Sequence, residues 1–141
     1  MGAGHVTAID VDEDALETFR ENLEIVDYDL PISIIQYNLE NDLPAKFAQS
    51  FDTTLMNPPF GTRTKGIDMV FLQRAMFCTR RAIYSMHKKS TRSHIAKQGK
   101  GEWVGKVVAE MKFDIKSSYK FHKKNSVDID VDVWRFERIK H

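Results

Sequence analysis

The stretch FDTTLMNPPF, residues 51–60, decides the fold. Its first six residues, Phe51–Met56, are sufficiently apolar and β-branched to predict a buried strand. The strand must end at Asn57, because Pro58 and Pro59 have no N–H and Pro59 holds Pro58 extended. The sequence therefore sets an asparagine, two prolines and a phenylalanine just beyond the end of a strand.

Predicted strands alternate with single helices on both sides of this stretch. Upstream, strands at His5–Asp10 and Ile32–Tyr37 flank a helix that Asp12 or Asp14 caps, with an apolar face made of Ala15, Leu16, Phe19, Leu23 and Val26. Downstream, Ile67–Thr79 predicts a helix with Met69, Leu72, Ala75 and Met76 inward, and Ala82–Met86 predicts a strand. This alternation is typical of an α/β fold with parallel pairing and right-handed crossovers.

The C-terminal third has a different pattern. Ser90–Lys97 looks helical, the glycines that follow it interrupt the pattern, and Val107–Ile115 fits either a helix or a strand. Tyr119–His122 and Val127–Phe136 predict an antiparallel hairpin. Asp128, Asp130 and Asp132 alternate with apolar residues in the last strand. This alternation favours a solvated face that pairs with lysines, with a metal site as the alternative.

Composition limits the class of protein. The 141 residues, 42% apolar and 29% charged, fit one globular domain spanning residues 1–141, without an apolar run of membrane-spanning length. Cys78 is the only cysteine, so no internal disulfide is possible, and we expect a reducing location, the nucleus and cytoplasm. The five histidines are scattered and predict no metal site. Bases gather between Lys88 and Lys106 and at Lys120–Lys124, as on a nucleic-acid face or a solvated surface.

The residues that follow the strand suggest a chemistry. Ligands of α/β sheets bind at the carboxyl ends of strands. There the Asn57 side-chain oxygen and the Pro58 carbonyl offer two acceptors, neither proline offers a donor, and Phe60 offers an aromatic face. Such a site suits a planar amine such as that of adenine, whose two N–H groups donate while the ring stacks. The alternative interpretation is an ordinary turn.

Asn57-Pro58-Pro59-Phe60 matches the [DNS]-P-P-[FYW] signature of S-adenosylmethionine-dependent amino-methyltransferases. Longer segments, "AIDVDEDAL", "SFDTTLMNPPFGTRTKGIDMVFL", "AIYSMHKKSTRSHI" and "SYKFHKKNSVDIDVDVWRF", resemble the methyltransferase-like protein 5 family of small-subunit ribosomal RNA adenine-N6 methyltransferases. The resemblance covers nearly the whole chain and is loosest at Gly99–Ile115.

The resemblance implies a Rossmann-like methyltransferase sheet with a C-terminal antiparallel hairpin and S-adenosyl-L-methionine as cofactor. It implies that the residues from Asn57 to Phe60, including Pro58 and Pro59, are catalytic. Asp10 would bind the cofactor's ribose hydroxyls, although a helix cap is its alternative role. Asn38 and its neighbour Leu39 would meet the cofactor's adenine. Structured RNA of the 18S type is the implied substrate.

The resemblance also implies contacts with macromolecules. Candidates for the RNA backbone are the basic residues Lys88, Lys89, Arg92, Lys120, Lys123 and Lys124. A small zinc-binding activator protein would add to the sheet edge at Ile32–Tyr37, and any zinc would belong to that partner.

The family's Gly-rich cofactor turn has no counterpart about 20 residues before Asp10. We therefore expect a chain that lacks the first family strand and its Gly-rich turn. Two alternatives to an RNA methyltransferase follow. One is an inactive module that binds only RNA or a partner, and the other is a protein-glutamine N5-methyltransferase, which shares the four-residue motif.

Overall fold

The computed structural model describes residues 2–26, 30–60, 64–99, 101–115 and 127–139. The chain divides into two compact units, residues 1–42 and 43–141, and each is described by itself. Both units combine helices with strands, which confirms the α/β class.

The first unit is a βαβ arrangement of β1 (Val6–Asp10), α1 (Glu13–Val26) and β2 (Ile32–Gln36). The two strands run parallel, with Val6 opposite Ile32 and Asp10 opposite Gln36, as the crossover through a helix requires. Of the two predicted caps, Asp12 is the one used. Its Oδ1 accepts the backbone N–H of Asp14 at 3.0 Å and satisfies a donor that the first helical turn leaves unpaired.

Burial in the first unit is slight. Leu16, 3% exposed, is the only buried side chain among its described residues. The predicted apolar face of α1 was partly wrong, because Ala15 is exposed and Val26 is 46% exposed. Two strands offer a helix only a narrow surface, so the ends of the apolar stripe extend beyond it.

The second unit contains a four-stranded sheet in the order β3-β4-β6-β5. Its elements are β3 (Phe51–Met56), α2 (Ile67–Cys78), β4 (Thr79–Lys88), α3 (Arg92–Ala96), β5 (Trp103–Ile115) and β6 (Val127–Arg138), with 3₁₀ turns at Ala45–Phe47 and Lys89–Thr91. β3 pairs with β4 in parallel, whereas β4 with β6 and β6 with β5 are antiparallel. The strand predicted at Phe51–Met56 is confirmed, but the burial predicted for it was wrong. None of its six residues is buried and Leu55 is 76% exposed, because β3 lies at the edge of the described sheet.

The core of the second unit lies between the sheet and α2. Leu72 and Ala75, predicted to face inward, are buried against Ile83, Trp134 and Phe136, and the predicted Met69 and Met76 pack at the margin of this cluster. Burial of each large side chain contributes roughly 1.5–3 kcal/mol. The core therefore fixes the position of β4. The end of β3 is fixed in turn, because β4 is the strand with which β3 pairs.

The C-terminal strands resolve one open assignment and differ from one expectation. The segment around Val107–Ile115 resolves as a strand, and β6 pairs with it from Ile115↔Val127 to Trp103↔Arg138. Tyr119–His122, the predicted partner of the last strand, lies outside the described residues. The solvated face predicted for the aspartates was wrong at Asp132, which is 0% exposed.

Within the described ranges, no helix is both long enough and apolar enough to cross a membrane.

Candidate functional site

The motif Asn57–Phe60 follows β3 directly, at the carboxyl end of the parallel pair β3 and β4. Met56, the last residue of β3, lies opposite Ser85 of β4. Asn57 and Pro59 are exposed, Pro58 is buried, and Phe60 is half-buried. The buried proline anchors a segment on which the Asn57 carboxamide remains accessible to a ligand.

A hydrogen-bonded chain of three polar side chains lies in the same unit. The Ser85 hydroxyl is 2.7 Å from Nε2 of His87, and His87 Nδ1 is 3.2 Å from Oδ2 of Asp68. Ser85 is 1% exposed and His87 is 0% exposed. Burial lowers the pKa of His87, and the hydrogen bond to the Asp68 carboxylate only partly opposes this effect. The imidazole is therefore neutral, and both of its nitrogens have partners.

The sequence did not predict this set of hydrogen-bonded side chains. Asp68 and His87 are 19 positions apart, and no local pattern connects them. Ser85 and His87 are two positions apart in β4 and so lie on the same face of the strand. This spacing was the only local sign that the two side chains could interact.

The residues expected to hold the cofactor lie in the first unit. Asp10 ends β1, and its backbone carbonyl accepts the N–H of Tyr37 at 2.8 Å, so Asp10 lies beside the segment that carries Asn38. The Asp10 carboxylate accepts the Asp12 N–H at 3.0 Å, and the Asn38 side-chain oxygen accepts the Glu40 N–H at 2.9 Å. Both side chains are exposed, and Leu39 is half-buried.

These residues fit a nucleoside. A carboxylate and a carboxamide oxygen at the ends of adjacent parallel strands can accept bonds from ribose hydroxyls and from an amine, since each oxygen has two lone pairs. A cavity of about 160 Å³ adjoins Asp10 and is lined by Ala8, Ile9, Asp10, Ala15, Leu16 and Phe19. Asp10 lies outside the helix and does not cap α1, because Asp12 takes that role.

Two of the three described basic candidates, Lys89 and Arg92, have acidic partners. Arg92 donates from Nε and Nη2 to the two carboxylate oxygens of Asp132, at 2.7 and 2.5 Å, and also contacts Glu110 at 2.8 Å. Lys89 Nζ lies 2.6 Å from Glu110. The hydrogen bonds that Lys89 and Arg92 donate to Glu110 lower the pKa of Glu110. Donation to Glu110 raises the pKa of Lys89, and donation to Asp132 and Glu110 raises the pKa of Arg92.

This ion cluster shows that Arg92 stabilises the sheet, because the buried Asp132 carboxylate would otherwise lack a cation. Lys88, at the end of β4, is half-buried. Lys120, Lys123 and Lys124 lie outside the described residues.

The edge predicted to receive an activator is open in the first unit. β2 (Ile32–Gln36) pairs with β1 along one side, and no described strand of its sheet pairs along the other. Ile32, Ile34 and Ile35 are half-buried, so apolar surface remains for a partner.

Comparisons with known proteins agree with the fold. The family model "Methyltransferase small domain" matches residues 2–85. "rRNA N(6)-adenosine-methyltransferase METTL5" of Danio rerio is 48% identical over 140 residues, 96% of this chain and 66% of the relative. "rRNA N(6)-adenosine-methyltransferase Mettl5" of Drosophila melanogaster is 47% identical over 141 residues, 97% of this chain and 65% of the relative.

A solved structure of PH1948 from Pyrococcus horikoshii, described as a candidate RNA methyltransferase, is also similar. It has a TM-score of 0.79 and 27% identity, over 99% of this chain and 66% of that protein. These matches confirm the resemblance inferred from the sequence. The chain spans slightly less than two thirds of the length of the curated relatives, 66% and 65%.

Proposed function

We propose a function from the premise that this chain belongs to the methyltransferase small domain family. The function is transfer of a methyl group from S-adenosyl-L-methionine to the N6 amine of an adenine in structured RNA. The substrate is small-subunit ribosomal RNA of the 18S type. Two relatives named as rRNA N6-adenosine methyltransferases support the choice of amine and RNA.

One observation carries the proposal. Asn57 is exposed at the carboxyl end of a parallel strand, and the buried Pro58 follows it. The carboxyl end of parallel strands is the ligand-binding edge of an α/β sheet. A carboxamide held there can meet a base taken out of its stack.

The amine of adenine is a poor nucleophile because its lone pair is delocalised into the ring. The Asn57 Oδ1 and the Pro58 carbonyl accept its two N–H groups, which favours a pyramidal nitrogen with a localised lone pair. The same oxygens would stabilise the positive charge that develops on this nitrogen as its bond to the methyl carbon forms and the bond from that carbon to the sulfonium sulfur breaks. One of the two amine protons would then leave to solvent. Preorganised dipoles of this kind are worth roughly 2.7–4 kcal/mol each. Phe60 stacks on the base and holds its plane.

Two residues of the first unit would hold the cofactor. The Asp10 carboxylate accepts bonds from the ribose hydroxyls, and Asn38, with Leu39 beside it, meets the adenine of the cofactor. When bound, S-adenosyl-L-methionine supplies a methyl group on a sulfonium centre. Because Asn38 carries no charge, its contribution to affinity is smaller than that of a carboxylate.

The RNA backbone contacts the basic residues of the second unit. Lys88, Lys89 and Arg92 are included in this proposal, together with Lys120, Lys123 and Lys124. The open edge at Ile32–Tyr37 receives a small zinc-binding activator protein by strand addition. The protein acts in the nucleus and cytoplasm.

The test uses the longest natural form of the protein that contains these 141 residues. Labelled methyl transfer to a structured rRNA fragment is measured, and the product nucleoside is identified by mass. We expect Asn57→Ala to lower turnover by about 10²–10³-fold. The matched control is Asn22→Ala, which removes an exposed carboxamide from the surface of α1 and should leave turnover unchanged.

Undiminished turnover in Asn57→Ala would contradict the acceptor role. Methyl transfer to a glutamine of a protein substrate, with none to RNA, would support the alternative of a protein-glutamine N5-methyltransferase. Calorimetry of the 141-residue chain with S-adenosyl-L-methionine separates an enzyme from a module that binds only RNA or a partner. Micromolar binding supports the enzyme, and no heat supports the module.

A further inference from the structure

The chain Ser85–His87–Asp68 contains the residue types of a hydrolase triad, but it is not a nucleophilic site. Ser85 is 1% exposed, so no substrate carbonyl can reach its hydroxyl. With His87 neutral, Nδ1–H donates to the Asp68 carboxylate and Nε2 accepts a hydrogen bond from the Ser85 hydroxyl. In this tautomer both imidazole nitrogens and the Ser85 hydroxyl have a hydrogen-bond partner.

The hydrogen-bonded side chains Ser85, His87 and Asp68 connect both ends of the segment that carries Asn57–Phe60. Ser85 lies opposite Met56, the residue before Asn57. Asp68 lies in the first turn of α2, two residues after Gly66, whose φ of 80° starts that helix. The segment that carries the motif therefore leaves β3 beside Ser85 and enters α2 beside Asp68.

The charged surroundings hold His87 in place. Asp132 of β6 is its cross-strand partner, and Arg92 binds the Asp132 carboxylate with two hydrogen bonds. Asp68, with a side chain 16% exposed, is the only one of these groups that bonds to the imidazole. Loss of the Asp68 carboxylate would thus free the first turn of α2 from β4, while the core contacts of α2 and the ion pair of Arg92 with Asp132 stay intact.

We propose that Ser85, His87 and Asp68 form a positioning network for methyl transfer. The network fixes the start of α2 to β4 and so holds Asn57 and Pro58 in the geometry that accepts the target amine. The three residues do not touch the base; they act through Asn57. This inference rests on the proposed function, because it assigns the network to that reaction.

The first test measures structure without activity. Hydrogen–deuterium exchange is followed by mass spectrometry in peptides covering residues 51–60, in wild type, Asp68→Ala and Asp14→Ala. Asp14 is the matched control, because it is also an aspartate in the first turn of a helix, α1. We expect Asp68→Ala to raise exchange in this segment by about tenfold or more, as loss of a charge-assisted hydrogen bond implies, and Asp14→Ala to leave it unchanged.

The second test measures methyl transfer to the rRNA fragment. Asp68→Ala should lower kcat by about 10–100-fold with the KM for RNA unchanged, because misplaced acceptors slow the chemistry and leave RNA contacts intact. Asp68→Asn keeps an oxygen that accepts from Nδ1–H and should recover most of kcat. In an Asn57→Ala background, Asp68→Ala should lower kcat less than twofold further.

The outcomes separate the two proposals. Additive losses of kcat in the double variant, or exchange in Asp68→Ala equal to that in Asp14→Ala, would overturn the positioning role. If wild type transfers no methyl group to RNA while exchange still rises in Asp68→Ala, the proposed function fails and the network remains a device that holds the motif.

Discussion

Gly105 of β5 lies directly opposite Phe136 of β6, and the aromatic ring covers it. A Cβ atom at position 105 would lie 2.6 Å from Cδ1 of Phe136, 3.2 Å from Cζ, and closest of all to Cε1. Carbon atoms in contact normally lie about 3.5–4.0 Å apart. Gly105→Ala therefore requires a ring movement of roughly 1 Å.

The ring has little room to move. Phe136 is 0% exposed, and it stacks on Trp134 with ring centroids 5.7 Å apart. Overpacking a core costs about 1–3 kcal/mol, and replacing a strand glycine with alanine returns about 0.5–1 kcal/mol of backbone entropy. We expect Gly105→Ala to lower the free energy of unfolding by about 1–2 kcal/mol.

Urea unfolding followed by tryptophan fluorescence measures this loss. The two tryptophans, Trp103 and Trp134, are both buried in the second unit, so the signal reports that unit. Lys106→Ala is the control, because this neighbouring side chain of β5 is exposed and substitutions at the surface usually change stability by no more than about 0.5 kcal/mol. Phe136→Leu should relieve the clash, so the double variant should be more stable than the sum of the single losses by about 1 kcal/mol.

A Gly105→Ala variant at least as stable as wild type would refute the reasoning. So would strictly additive losses in the double variant, because they would mean that the ring does not cover position 105.

Two further predictions concern buried charge. Because burial lowers the pKa of His87, the stability that its neutral form contributes is complete above about pH 6.5 and is lost as pH falls below that value. Urea unfolding between pH 7.5 and 5 should therefore show a steeper loss in wild type than in His87→Gln, and parallel curves would contradict this. Arg92→Met should destabilise the protein more than Asp132→Asn, since it leaves a fully buried carboxylate without its cation, whereas the Arg92 side chain is 37% exposed and can be hydrated. Equal losses in urea unfolding at pH 7 would be inconsistent with this asymmetry.

The fold was predictable where a local pattern determines the structure. Phe51–Met56 forms β3 as predicted, because two prolines end the strand there, but its predicted burial was wrong because β3 is an edge strand of the described sheet. Leu72 and Ala75 were correctly assigned to the core, since helical spacing places them on the face that meets the sheet.

The features that the sequence did not predict involve contacts between residues that are distant in sequence. Asp132 had the alternation of a solvated strand, but Arg92, 40 positions away, supplies the two hydrogen bonds that allow its burial. Gly105 suggested an interruption, yet the ring of Phe136 takes the place of its missing side chain within a strand. The link from Asp68 to His87 requires the packing of α2 on the sheet, which no window of sequence contains.

The sparse burial of the first unit has a consequence for affinity. With one buried side chain among its described residues and a sheet of two strands, this unit gains little from its own packing. A molecule that binds the folded form of this unit at Asp10 and Asn38 would therefore add its binding free energy to a small intrinsic stability. The stability of the first unit would then depend on the concentration of this small molecule, and a fall in that concentration would raise the unfolded fraction of the unit.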